Sequence, residues 1–406
     1  MNERLRRLGV LAGRARDMGP RDLARRVARR AYQRLGAEEL EFPLLEGDVA
    51  DSTRLDLPVP ATRPDRGTPL RIAFVSEPPA RGSGGHTTMF RMIQGLERAG
   101  HTCDLLLYDR YDGDLDNHRE VVRAGWPFVE AGVRSIDEGV LDYDAGVATA
   151  WSTAHVLARR SADTPLRRLY FAQDFEPFFY PRGDRYSLAE DTYRFGFRTV
   201  AVGHMAADLI APIAGRRPDV AEFGCDTEVY RLTSAGGRDA VVLYLNPASE
   251  RRGLRLALLA MAELHRRHPE VELVTFGDDR VDLPFPATRM GVQTPASLAR
   301  LYNRSITGLA LSFTNISLIA EELLACGVIP VVNDHPYARA DLQHPDVRWA
   351  LPTPGALADE LCAAIEAPDR EERARRAAEG VRSGHWTPAQ TTLVAAVEDE
   401  VYGPED

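Results

Sequence analysis

Three stretches of this 406-residue chain combine residue types that bind anions and hydroxyl-rich ligands. The first is Gly82-Ser83-Gly84-Gly85-His86. Glycines let a backbone approach a ligand closely, and the free N–H groups of a following helix attract an anion. The spacing is not the dinucleotide fingerprint GxGxxG, and no Gly-Lys-Ser/Thr follows to make a Walker A loop. A tight loop without a ligand is the alternative, and His86 is either a ligand contact or an ordinary loop histidine. The second stretch is Asn246–Gly253, where the adjacent Arg251 and Arg252 can clamp a diphosphate through charge-assisted hydrogen bonds. Cations at a helix start oppose the helix dipole, which favours a ligand role over a helix-stabilising one. The third is Ser312–Gly327. Its polar residues open a helix that presents Glu321 or Glu322 near its start and ends at Gly327. A carboxylate there can accept both hydroxyls of a ribose, while Asn315, Ser317 and the helix N-terminus face phosphates. The alternative for the glutamate is simple compensation of the helix dipole.

These stretches need elements to hold them, and the hydrophobic pattern supplies them. Arg71–Val75 is a short run rich in β-formers. A glycine loop follows, then a helix with Met89, Ile93 and Leu96 on one face, then a buried strand at Cys103–Leu107. That is the βαβ unit of a parallel sheet. Ala145–Thr149, Leu169–Ala172 and Thr199–Val202 continue the series. A second series opens after Gly224-Cys225-Asp226. It has strands at Val241–Leu245, Val271–Phe276 (closed by Gly277), Gly308–Ser312 and Val328–Val332. Helices are expected at Leu254–His265, Pro295–Tyr302 and Ser317–Ala325, with two more near 355–366 and 369–382. Two doubly wound parallel sheets follow, facing each other across a cleft, with ligands at the carboxyl ends of the strands. The divisions are residues 1–69 as a helical extension and linker, 70–225 and 226–385 as Rossmann-like domains on the acceptor and donor sides, and 386–406 as a tail or helix packing back toward the first domain.

Composition narrows the class. All 50 basic residues are arginine, which reads as a coding bias, and the net charge of −10 argues against a general nucleic-acid binder. Cys103, Cys225, Cys326 and Cys362 lie far apart and read as reduced core thiols, which places the chain in the cytoplasm. No apolar run approaches the roughly 18 residues needed to span a bilayer. Charge is uneven: residues 1–36 hold eleven arginines against Glu3, Asp17 and Asp22, so this piece carries +8 and the rest −18. It reads as one or two helices broken near Gly19-Pro20, with Leu23, Val27, Ala28, Ala31 and Leu35 at helical spacing. It is either a solvated helix docked on the body or a peripheral helix on an anionic membrane surface. Residues 37–69 lack periodicity and read as a linker or a loosely packed wrap.

From residue 70 to 385 the chain resembles the retaining, metal-independent glycosyltransferases of family 4, which have the two-domain GT-B fold. The resemblance rests on Gly84-Gly85 after the first strand, on the "GvD"-like turn Gly224-Cys225-Asp226, and on Glu322 five residues before Gly327 in an "EAMACGxPVV"-like run. Within that family it is most similar to bacterial S-layer rhamnosyltransferases, through Gly84–Thr88, Tyr170–Glu176 and Leu311–Asn315. The resemblance implies a nucleotide-diphosphate sugar donor, with dTDP-rhamnose as a candidate. It also implies a donor site of Gly84, Gly85, His86, Asn246, Arg251, Arg252, Gly277, Thr314, Asn315, Ser317 and Glu322. Two departures stand out. The first glutamate of the family's EX7E pattern is Thr314 here. The usual arginine–lysine pair is Asn246 and Arg251, with Arg252 beside it.

Breaking a sugar–phosphate bond leaves negative charge on the departing diphosphate, so leaving-group stabilisation is the main task. Arg251 is suited to it, and with Glu322 and Asp174 it forms the expected catalytic group. No metal or other cofactor is expected, and Asp278-Asp279 reads as a loop after a strand. Gln173, Asp174 and Glu176 are expected on the acceptor side, facing a glycan, a lipid-linked or a small-molecule acceptor. Two other readings stay open: a sugar-nucleotide epimerase on the same fold, and an inactive scaffold associated with glycan or membrane.

Overall fold

The computed structural model describes residues 20–80, 82–381 and 386–404. The helix expected before Gly19 lies outside the described residues. Two compact units divide at Glu46/Gly47. The first contains helix α1 (Pro20–Arg34), on which every residue from Ala24 to Ala31 is solvent-exposed. It ends in a short turn where the Tyr32 hydroxyl donates to Glu41.

The second unit holds both predicted sheets. The first runs β1 (Arg71–Ser76), β2 (Thr102–Leu107), β3 (Gly132–Ser135), β4 (Ala145–Ala148), β5 (Arg167–Ala172), β6 (Arg198–Val202) and β7 (Asp219–Ala221). Its spatial order is β3-β2-β1-β4-β5-β6-β7, and every pairing is parallel. The second contains β8 (Ala240–Leu245), β9 (Glu272–Gly277), β10 (Thr288–Arg289), β11 (Ser305–Leu309), β12 (Ile329–Asn333) and β13 (Arg348–Ala350), in the order β10-β9-β8-β11-β12-β13, again all parallel. Helices cover both faces, so the central strands are buried on both sides and most carry an apolar run. They are α2 (Gly84–Arg98), α3 (Leu115–Gly125), α4 (Trp151–Arg160), α5 (Asp184–Asp191), α6 (His204–Ala214), α7 (Leu254–Arg267), α8 (Pro295–Arg304), α9 (Leu318–Ala325), α10 (Pro336–Asp341), α11 (Pro354–Glu366), α12 (Arg370–Gly380) and α13 (Thr387–Tyr402).

In each sheet the strand order reverses once, between β1 and β4 and between β8 and β11. Loops leaving the two strands at such a reversal diverge and open a crevice. The glycine loop follows β1, the arginine pair follows β8, and Ser312–Ser317 follows β11. All three stretches singled out by residue type therefore leave switch-point strands.

Two segments decide between alternatives that the sequence left open, a linker or a wrap for the one and a tail or a helix packing back for the other. Residues from Gly47 onward are not a linker. The buried Asp48 carboxylate accepts from Tyr108 Oη (3.0 Å) and Arg160 Nε (2.7 Å). Ser52 Oγ donates to Asp191 (2.6 Å), and the Pro58 carbonyl accepts from Arg168 (2.8 Å). The Ala50 N–H donates to His155 Nδ1 (3.0 Å), and the opposite ring nitrogen is 3.1 Å from the Leu188 carbonyl. That pairing needs a neutral ring with its proton on Nε2, and burial lowers the His155 pKa accordingly. Single polar anchors of this kind leave no periodic trace. The other segment is α13, which lies on the first sheet although it follows the second in sequence. Leu393, Val397 and Val401 join the core of Phe74, Phe90 and Phe171. Its approach is close: a Cβ on Gly95 of α2 would lie 2.7 Å from Gln390.

Candidate active site

The site is built where the carboxyl ends of the two sheets meet. Asp174, two residues past β5, is almost fully buried and reaches across to the second sheet. Its carboxylate accepts from Thr314 Oγ1 (2.6 Å), from Arg251 Nη1 (3.2 Å) and from the Asn315 N–H (3.3 Å), as well as from the Phe175 N–H (2.8 Å). Burial raises its pKa, and Arg251 is the main opposing influence. Beside it, Asn315 Nδ2 donates to the Gln173 carbonyl (2.9 Å), while Asn315 Oδ1 is buried with no hydrogen-bond partner among the described residues. The Arg251 guanidinium also lies over the Phe179 ring, 4.6 Å from its centre. Arg252 donates to Ser312 Oγ (2.7 Å), and burial draws its guanidinium down to about 10.

Loop Ser312–Ser317 is pinned from below. The Asn333 side chain, ending β12, accepts from the Ser312 N–H (2.8 Å) and donates to the Ser312 carbonyl (2.7 Å). The Phe313 N–H donates to the Arg251 carbonyl (2.9 Å), which ties this loop to the arginine loop. Ser317 is the N-cap of α9 but makes no side-chain capping bond, leaving the first N–H groups of that helix without this cover. Gly84, the first residue of α2, faces them: a Cβ there would sit 3.9 Å from Leu318 Cδ1. A Cβ on Gly85 would lie 3.5 Å from the Gln173 side chain.

The two glutamates of α9 diverge, as neighbours on a helix must. Glu322 points toward Tyr302, Cys225 and Asp226. Burial pushes its carboxyl up to about 8 although part of the residue's surface stays accessible. The Tyr302 hydroxyl beside it eases ionisation without meeting it in full hydrogen-bond geometry. Glu321 instead faces Asp341 and Glu222, and burial pushes it to about 7. Asp226, from the Gly224-Cys225-Asp226 turn, is paired with Arg91 of α2 at 2.7 Å.

Other expected residues sit as follows. His86 turns back to its own cap, with Nδ1 2.8 Å from Ser83 Oγ, and burial lowers its pKa. Asn246 is half-buried just past β8. Gly277 ends β9 at φ +102°, where a Cβ would be 2.4 Å from the Leu245 carbonyl oxygen. Asp278 is held by Arg280 at 2.7 Å. Glu176, expected on the acceptor side, is engaged within the first domain. Its buried carboxylate accepts from the Trp151 N–H (2.6 Å) at the start of α4 and from Tyr170 Oη (2.9 Å), inside the first domain. Burial pushes it to about 8. Asp174 instead turns to the second sheet's loops, and so does the Gln173 carbonyl. Sequence reasoning missed Asn333, Phe179 and Tyr302. Only Asn333 left a signal, as a polar residue closing the apolar run Ile329–Val332.

Two parallel α/β domains with the site between their carboxyl ends define the GT-B fold. Solved structures agree on that fold. HepE from Anabaena, in complex with UDP-glucose, aligns at a TM-score of 0.60 with 15% identity over 80% of this chain and 98% of its own. Sucrose-phosphate synthase from Thermosynechococcus elongatus aligns at 0.60 with 14% identity, over 79% and 96%. WaaG, a glycosyltransferase involved in lipopolysaccharide biosynthesis, aligns at 0.58 with 12% identity, over 82% and 100%. In sequence, the family described as WsaF, N-terminal domain, matches residues 130–205. The O-antigen biosynthesis protein RfbC of Myxococcus xanthus is 31% identical over 322 residues, which is 74% of this chain. The chain spans about a quarter of that relative's length.

Proposed function

We propose that this protein is a glycosyltransferase that moves a sugar from a nucleotide-diphosphate donor to a surface-polysaccharide acceptor. The observation that carries this reading is the convergence of Arg251, Arg252, the α9 N-terminus and Glu322 at the switch point of the second sheet. The O-antigen relative and the UDP-glucose complex of the same fold support it. In this reading Glu322 accepts the ribose hydroxyls. Arg251, Arg252 and the N–H groups at Gly84-Gly85 and Ser317 take the diphosphate and its growing negative charge. Retention of anomeric configuration, a deoxysugar donor such as dTDP-rhamnose and metal-independent turnover complete the proposal. Thr314, where a glutamate would contact donor-sugar hydroxyls, is compatible with a sugar that has one hydroxyl fewer.

The test is a panel of UDP-, GDP- and dTDP-sugars followed by thermal shift. At about 100 times Kd a bound donor stabilises by about 2.7 kcal/mol. No shift with any of them sinks the reading. Incubation with donor alone separates the epimerase, because an epimerised nucleotide sugar contradicts transfer. Product NMR reads the anomeric configuration, and turnover in EDTA tests metal independence.

We further propose that the protein meets the membrane peripherally. No helix among the described residues is long and apolar enough to cross one. The exposed α1 carries Arg25, Arg26, Arg29, Arg30 and Arg34 around a narrow apolar stripe of Ala24, Val27, Ala28 and Ala31, which suits an anionic surface. Deletion of residues 1–36 should abolish co-sedimentation with phosphatidylglycerol vesicles. Equal binding by both forms removes the idea.

A further inference from the structure

Every group that Asp174 grips on the second sheet belongs to a loop assigned above to the donor. The Arg251 guanidinium comes from the β8 loop, and the Thr314 hydroxyl and Asn315 N–H come from the β11 loop. One carboxylate from the first domain thus gathers a cation and two neutral donors, the set that recognises a phosphate. We propose that Asp174 is a placeholder for the donor's diphosphate: in the empty site it occupies the anion-binding groups, and a nucleoside diphosphate binds by displacing it. This rests on the donor-site reading above.

Three observations carry the inference. Asp174 is 2% exposed, so water screens its carboxylate little. Thr314 Oγ1 donates only to Asp174, and the Asn315 N–H has no other acceptor among the described residues, so neither is free for a ligand while Asp174 holds it. A diphosphate seated on Arg251 would place further negative charge within a few ångströms of a poorly solvated carboxylate that accepts from four donors. Like charges at that range repel strongly in a weakly screened site. The neighbouring Asn315–Gln173 bond crosses the same gap, so Asp174 is not the sole link between the two loops.

The experiment is calorimetric titration of wild type and Asp174→Asn with dTDP, UDP and GDP, and with thymidine, uridine and guanosine as uncharged controls. Asparagine keeps the shape and an acceptor oxygen but removes the charge. The expected result is at least about a tenfold lower Kd for whichever diphosphate binds wild type. The matching nucleoside should show no gain. A diphosphate that binds the variant equally or more weakly overturns the inference and leaves the donor site standing, as does a gain shared by the nucleoside. Failure of every diphosphate to bind either form overturns both. Circular dichroism checks folding. If Asp174→Asn does not fold, Asp174→Ser, which retains an acceptor for the Phe175 N–H, is titrated with the same criteria.

Discussion

Replacing Glu322 with glutamine should stabilise the protein at alkaline pH while damaging its ligand site. Burial moves this carboxyl from 4.5 in the unfolded chain to about 8 in the folded one. Each pK unit corresponds to about 1.4 kcal/mol, so the shift sets an upper limit of about 5 kcal/mol. The sign follows from proton binding. Between the two pKa values the folded protein keeps a proton that the unfolded chain has lost. Stability from this group is therefore complete below about 4.5, falls as pH rises, and levels off above about 8. Glu321, pushed to about 7, adds a smaller effect of the same sign. Glu322→Gln cannot ionise, so it escapes its share of the loss. Chemical denaturation at pH 5, 7 and 9 should show similar stabilities at pH 5 and a widening advantage for the variant, reaching a few kcal/mol at pH 9. The same change removes the charged acceptor for the ribose, so nucleotide affinity should drop by about 1.5–3 kcal/mol. Wild-type affinity should also climb with pH toward about 8, because hydroxyls donate more strongly to a carboxylate than to a carboxylic acid. A difference in stability that stays constant from pH 5 to 9 would refute the assignment of Glu322 as a desolvated acid.

Arg251→Ala should destabilise by about 1–3 kcal/mol, because it leaves the Asp174 carboxylate buried without its cation; adding Asp174→Asn should restore most of the loss, and a double-mutant cycle by urea denaturation reads the coupling. Gly277→Ala should cost at least about 2 kcal/mol, since its φ of +102° and the Leu245 carbonyl both exclude a Cβ, and a melting temperature within one degree of wild type would contradict the local geometry. Asn333→Ala removes two bonds to the Ser312 backbone and should cost about 1–3 kcal/mol, with a further loss of nucleotide affinity measured by calorimetry.

The alternation of strands and helices was readable because most central strands, buried on both faces, carry a continuous apolar run. Strands β3, β7, β10 and β13 were not, since each has only two to four residues at or next to a sheet edge and no apolar run. The strand expected at Gly308–Ser312 forms at Ser305–Leu309, immediately after α8. Polar Ser305 and Thr307 disguised its start; their hydroxyls are satisfied by the Leu301 and Ile329 carbonyls. For the site, residue type and position after a strand were enough to single out Arg251, Arg252 and the Ser312–Ser317 loop. Partnership was not legible. Asp174 and Glu176 are separated by one residue and looked equivalent, yet one crosses to the other domain and the other caps a helix in its own. Strand geometry and the turn at Phe175 decide that, and neither is written in residue type.

Helix α13 has a consequence for how the protein is made. The first domain ends its sheet at Ala221, but its core needs Leu393, Val397 and Val401. At about 5–20 residues per second, the ribosome takes roughly ten to forty seconds to reach those residues from Ala221. Throughout that interval the first domain waits with an apolar trough open along β5, β6 and β7 and the flank of α2. It cannot finish folding before the second domain has been synthesised. Nascent chains are therefore exposed to chaperone capture or to mispairing with one another during this interval, and the two halves, although each looks self-contained in outline, mature as one.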